Sequence, residues 1–252
     1  MILRQELVSY IDKLLACSNF NDYAPNGLQI EGKETITSIA TAVTASKRVI
    51  EEASTLQVDA LLVHHGFFWR GENPTIIGMK RARIADLLAA NINLFAYHLP
   101  LDCHIELGNN ACLGQLLGLQ EINQHCVQNT ANLLWSGAFA LNKTREEVST
   151  LLTEQLRQKP IHVAGTDKSI KTIAWCSGAA QDFIEQAHAL GVDAYISGEI
   201  SERTFYQAQE LGIHYFACGH HATERYGIQA LGNHLAAQFT LTHQFIDSEN
   251  FV

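Results

Sequence analysis

The chain has 252 residues, 47% hydrophobic and 17% charged, with a net charge of −9 and only 17 Lys plus Arg. That length allows one large or two small domains with an ample core. No basic run is present, which argues against a general phosphate-tracking nucleic-acid surface, and no apolar stretch approaches the roughly 20 residues of a membrane span.

Taken in chain order, residues 1–15 have helical apolar spacing. They carry acids and lack the apolar core and small-residue cleavage site of a signal peptide. Residues 38–43 read as a strand, 46–55 as a helix with Ile50 and Ala53 on one face, and 60–63 as a second strand. A helix at 79–90 and a strand at 94–97 follow. Residues 120–132 are polar and read as a junction, which predicts two halves, 1–125 and 126–252. Residues 133–159 read as a strand and then a helix with Val148, Leu151, Leu152 and Gln155 on successive turns. The cysteines Cys17, Cys103, Cys112, Cys126, Cys176 and Cys218 are scattered with no CxxC pair. They read as reduced cytoplasmic thiols.

The two halves resemble one another. Residues 36–65 align without a gap to 170–199, at a constant offset of 134. Ile36, Ile39, Ala40, Ala45, Ile50, Glu51, Ala53, Leu56, Val58, Asp59 and Ala60 each match their partner, eleven of thirty positions. Residues 92–98 resemble 213–220 at an offset near 121. An internal duplication of strand, helix, strand, helix, strand implies βαβ units and largely parallel sheets, an α/β fold of two similar, interlinked halves. In such sheets ligands bind beyond the carboxyl ends of the strands. His64, His98, Glu199 and His220 all fall there, so a cleft between the halves is the expected site.

Three segments carry the chemistry. Leu61-Leu-Val-His64-His65-Gly66 ends a strand with two imidazoles. Neighbours on a strand point to opposite faces, but a turn at Gly66 lets both swing towards one centre. The loop after it, Phe67-Phe68-Trp69-Arg70, is either a substrate-facing wall or pinned to the core. In Tyr97-His98-Leu-Pro100-Leu-Asp102, Pro100 stops the strand because it lacks a ladder donor, and Asp102 is a hard ligand or a turn residue. In Gly219-His220-His221-Ala-Thr-Glu224, a helix starting near His221 would bring His220 and Glu224 together at a terminus that favours an anion. Imidazole plus carboxylate without thiolate suits Fe, Zn, Mn, Ni or Co. Five or six ligands exceed what one catalytic zinc takes from protein, so two divalent ions with Glu224 as the bridge fit better. No phosphate loop, GxGxxG after a strand or GxSxG elbow occurs. A Cys218 nucleophile beside the His-rich turn is the minor alternative, weighed against inert packing.

At Val63-His64-His65-Gly66, Tyr97-His98-Leu-Pro-Leu-Asp102 with Gly108-Asn109-Asn110, Ser197-Gly198-Glu199 and Gly219-His220-His221-Ala-Thr-Glu224, the chain resembles the GTP cyclohydrolase 1 type 2 homologues. The resemblance runs through most of the chain and matches the compact bacterial form. It implies two metals on His64, His65, Asp102, His220 and Glu224, with Glu224 bridging. It places His98 at the site as a further ligand or an acid/base. It also implies a ring-shaped homohexamer. The expected function is a cytoplasmic metal-dependent hydrolase for a small or nucleotide-like substrate, with His98 catalytic. GTP ring opening follows from the family name alone. The competing expectation is a non-catalytic metal-binding, metal-delivery or scaffold protein.

Overall fold

The computed structural model describes residues 1–252. The chain forms two α/β units, Met1–Leu101 with Gly227–Glu249, and Asp102–Tyr226 with Asn250–Val252. The expected boundary at 125/126 is therefore displaced. The chain changes unit inside the short helix Leu99–Asp102 and returns inside the helix His220–Phe239. The reason lies in strand pairing: the last strand, Thr242–Phe245, runs parallel to Ser38–Thr44 and completes the first sheet. Asp102 belongs to the second unit, because the helix Asn109–Leu116 that follows it packs into that unit's core and Gln120–Val127 pairs with Thr130–Lys143.

The first unit is a five-stranded sheet in the order Thr242–Phe245, Ser38–Thr44, Ala60–His65, Asn93–Ala96, Gly27–Ile30. The first four strands are parallel and the last is antiparallel. Alternation along each strand divides its apolar residues between two cores. Ile39, Val43, Leu62 and Phe95 pack with Leu7 and Ile11 and with Ile228, Leu231 and Leu235 of the long helix. Ala40, Ala42, Leu61, Val63 and Leu94 pack on the other face with Val49, Ile50, Ala53 and Leu87, from the helices Lys47–Thr55 and Gly78–Ala89. The sequence reading of these elements holds to within two residues. Ser46 is not in its helix but caps it, accepting from Val49 N at 3.3 Å.

The second unit is a six-stranded sheet in the order Gln120–Val127, Thr130–Lys143, Ile170–Trp175, Ala194–Ser197, His214–Ala217, Ile161–Val163. The polar stretch read as a junction is instead an antiparallel edge strand. Its residues are mostly exposed, which is why they are polar. A two-residue turn closes the hairpin, with Gln128 at φ 50° and Asn129 at φ 60°. Positive φ at both central residues is what such turns require. Trp135, Phe139, Val148, Leu152, Leu156, Ile173, Trp175, Ile196 and Phe216 form its core.

The duplication is written into the hydrogen bonds. Ile39 pairs with Ala60 and Ile173 with Ala194, both partners shifted by 134. Thr37 N and Ser38 N donate to Asp59 Oδ2 at 2.7 and 3.0 Å. Their counterparts Lys171 N and Thr172 N donate to Asp193 Oδ2 at 2.9 and 2.8 Å. Each aspartate thus ties the start of one strand to the start of the next.

Asp59 also accepts from Lys33 Nζ at 2.6 Å. Burial by itself would raise its carboxyl, but Lys33, Thr37 and Ser38 outweigh burial and hold it well below the usual carboxylate range. Hydrogen bonds to a charged group contribute about 1.5–3 kcal/mol each, so Asp59→Ala is expected to destabilise by about 2–4 kcal/mol. A depressed carboxyl contributes stability that is fully present above about pH 4 and is lost as pH falls further. The urea midpoint of the wild type should therefore drop more steeply between about pH 5 and pH 3 than that of Asp59→Asn. Parallel curves would refute the role given to this carboxylate.

Candidate metal centre

In the first unit, the sheet delivers His64 and His65 at the end of Ala60–His65. They are neighbours on a strand, yet their ring centroids are 4.6 Å apart. The strand ends with them, so neither has to follow the alternation beyond it. His98 joins them two residues after Asn93–Ala96. Ligand atoms of His64, His65 and His98 all lie within 4.8 Å of one another. Pro100 does not end that strand, which has already stopped at Ala96. It sits in the first turn of Leu99–Asp102, where its missing N–H is no loss.

Each imidazole is held from behind. His64 Nδ1 lies 2.9 Å from the Tyr97 carbonyl, so Nδ1 carries the proton and Nε2 the lone pair. His98 Nδ1 lies 2.8 Å from Asp22 Oδ1. Asp22 Oδ2 accepts from Leu99 N at 2.9 Å, and Asn26 Oδ1 accepts from His98 N at 2.7 Å. Burial alone would raise Asp22, but His98 and Asn26 outweigh it and its pKa is lowered to about 2. His65 Nδ1 has Thr44 Oγ1 at 3.4 Å. Asp22 was missed in the sequence. It lies in a loop 76 residues before His98, with no periodicity or motif to single it out.

In the second unit, the helix starts at His220 and carries Glu224 one turn on, with His220 Nε2 3.2 Å from Glu224 Oε1. His220 Nδ1 lies 2.7 Å from Glu199 Oε1. Burial disfavours the charged imidazole, but Glu224 and Glu199 outweigh burial and push its pKa up to about 9. Asp102 is buried, and its Oδ1 accepts from Asn109 Nδ2 at 2.8 Å and Ser177 Oγ at 2.9 Å. Ser177 was also missed: it lies two residues past the strand Ile170–Trp175, and the offset of 134 aligns it with the apolar Val43, so the repeat gives no sign of it. Beside it, a Cβ added to Gly178 would collide with Glu224 Oε1 and lie 3.1 Å from His220 Nε2. A glycine there, at φ +66°, leaves these two donor atoms their space. Cys218 is fully buried and burial pushes its thiol far up, so it is an inert packing group rather than a nucleophile.

The donor groups are imidazoles and carboxyl groups, and those of His64, His65, His98, His220 and Asp102 are tied from behind by a carbonyl, carboxylates, an amide and hydroxyls. Outer partners of this kind orient metal ligands and set their tautomer. The donor chemistry in each unit therefore fits divalent metal ions.

Residues 2–250 match the family Duf34/NIF3 (NGG1p interacting factor 3). The chain belongs to this family. A relative from Allochromatium vinosum, named GTP cyclohydrolase 1 type 2 homolog, is 48% identical over 98% of this chain and 96% of its own. One of the same name from Escherichia coli K12 is 46% identical over 97% and 98%. The solved structure of protein ybgI, given as of unknown function, superposes with a TM-score of 0.95 at 44% identity, covering all of both chains. A structure from Thermus thermophilus gives 0.91 at 32% identity, again over both whole chains. The family resemblance read from the four motif segments is thus borne out along the chain, as is the α/β fold in two halves. No helix is long and apolar enough to cross a membrane.

Proposed function

We propose that the protein is a metal-dependent hydrolase whose two divalent ions are held by His64, His65, Asp102, His220 and Glu224. The observation that carries this reading is the anchoring of the donors. Tyr97 O behind His64, Glu199 behind His220, and Asn109 and Ser177 behind Asp102 are the outer partners a metal site needs. When bound, such ions supply Lewis acidity and bring the pKa of water down towards about 7. The chain's own part is to hold and move protons. Asp22 fixes the His98 ring through Nδ1, and His98 accepts or donates a proton at Nε2 beside His64 and His65. A small or nucleotide-like substrate is the class proposed. GTP ring opening is the version suggested by the name of the relatives. A cytoplasmic setting belongs to the same reading, on the six unbridged cysteines.

The test is a screen of small metabolites with pure metal-loaded protein, run beside chelator-treated protein. Metal-dependent turnover of at least one compound is expected. Metal-loaded protein that turns over nothing would favour a binding or delivery role. Chelation should leave the fold intact, because each unit buries its own apolar core without help from the site. Circular dichroism after metal removal checks this, and a global loss of helix signal would make the metals structural.

The proposal extends to a homohexameric ring, on the family resemblance and on exposed apolar side chains such as Ile76, Ile77, Met79 and Leu88. Light scattering should return six times the 27.9 kDa of one chain. A monomer mass would remove this part of the reading.

A further inference from the structure

Two aromatic rings stand beside His98 in the first unit. Trp69 meets the imidazole edge-on, with centroids 5.2 Å apart at 87°, and lies 5.8 Å from His65. Tyr23 lies 5.5 Å from His98 at 58°. Phe67, two residues before Trp69, packs into the core at 5% exposure. Tyr23 keeps 54% of its surface exposed and Trp69 is half-buried. Core packing therefore does not explain why large rings occupy these two positions.

Arg70 staples the two segments together. Its backbone N donates to Tyr23 O at 2.7 Å. Its guanidinium donates to Asp22 O at 2.7 Å and Asn21 Oδ1 at 3.2 Å. Asp22 in turn holds His98. Tyr23, Trp69 and His98 thus share one hydrogen-bonded frame, and the rings are positioned before any ligand arrives. Preorganisation of this kind removes ordering costs from binding.

We propose that Tyr23 and Trp69 form a binding wall for a planar heteroaromatic ring, such as a purine base, and hold the substrate with its reacting part at His98. This deepens the reading of His98 as the proton carrier and rests on it. Aromatic faces accept any planar π-system, whereas a saturated sugar offers no such face.

The experiment is calorimetric titration of metal-loaded protein with guanosine 5′-monophosphate, adenosine 5′-monophosphate and ribose 5-phosphate. The proteins are wild type, Tyr23→Ala, Trp69→Ala and Trp69→Phe. Both nucleotides should bind the wild type at least about tenfold tighter than ribose 5-phosphate. Each alanine variant should lose about tenfold or more for the nucleotides and little for ribose 5-phosphate, while Trp69→Phe keeps most of the affinity. Equal affinity for ribose 5-phosphate, no measurable nucleotide binding, or alanine variants that bind nucleotides normally would each overturn the wall. So would an alanine variant that loses ribose 5-phosphate and nucleotides alike, because the rings would then be structural. Elemental analysis of the same samples separates the two readings. Wild type that prefers nucleotides but holds no metal keeps the wall and sinks the metal proposal. Wild type with two metals and no preference for a base sinks the wall alone.

Discussion

Glu224→Gln is expected to lower metal content from two ions per chain towards one or none. Glu224 is 2% exposed, its Oε1 lies 3.2 Å from His220 Nε2, and Gly178 leaves room at both atoms. A bridging carboxylate contributes charge to both ions, whereas an amide of the same shape offers one neutral acceptor oxygen. Removing an outer partner costs about 10–100-fold in metal affinity, so removing a bridging ligand should cost more than that. Glu199→Gln, which reaches His220 only at Nδ1, should stay within that smaller range. Elemental analysis of the folded variants decides it. Two metals per chain in Glu224→Gln would contradict the bridging role.

His98→Ala is expected to keep most of the metal and lose most of the hydrolytic activity. A general acid or base is typically worth a factor of about 10²–10⁴ in rate. His98 sits with His64 and His65, but its geometry is set by Asp22 and Asn26 rather than by the strand that carries the other two. Asp22 has its pKa lowered to about 2, so it stays a carboxylate at neutral pH and keeps the His98 ring in one orientation. Asp22→Asn should therefore lower turnover with metal retained, because an amide can turn either an oxygen or an N–H towards Nδ1. Metal content measured against turnover is the comparison. If His98→Ala empties the site as fully as His64→Ala, His98 is a ligand and the acid/base assignment fails.

Periodicity carried most of the local structure. Strands 38–43, 60–63 and 94–97 were legible because short apolar runs alternate with helical patterns. The repeat at offset 134 was legible too, and it survives in the paired roles of Asp59 and Asp193. It survives because those carboxylates bond to backbone a fixed distance before them. His220 and Glu224 were legible as a pair because helical spacing is itself a contact rule.

Unit membership was decided only by the tertiary structure. Pairing of Thr242–Phe245 with Ser38–Thr44 joins residues some 200 apart in the chain, and no local pattern records such a partner. The same holds for the groups behind the donors. Asp22 reaches His98 across 76 residues and Ser177 reaches Asp102 across 75. A single carboxylate or hydroxyl in a loop has no period and no spacing motif, so its partner is set by where the packed strands end. The sequence by itself determined which imidazoles and carboxyl groups follow which strands. The tertiary structure decided which second residue holds each of them, because a hydrogen bond depends on distance in space and not on distance along the chain.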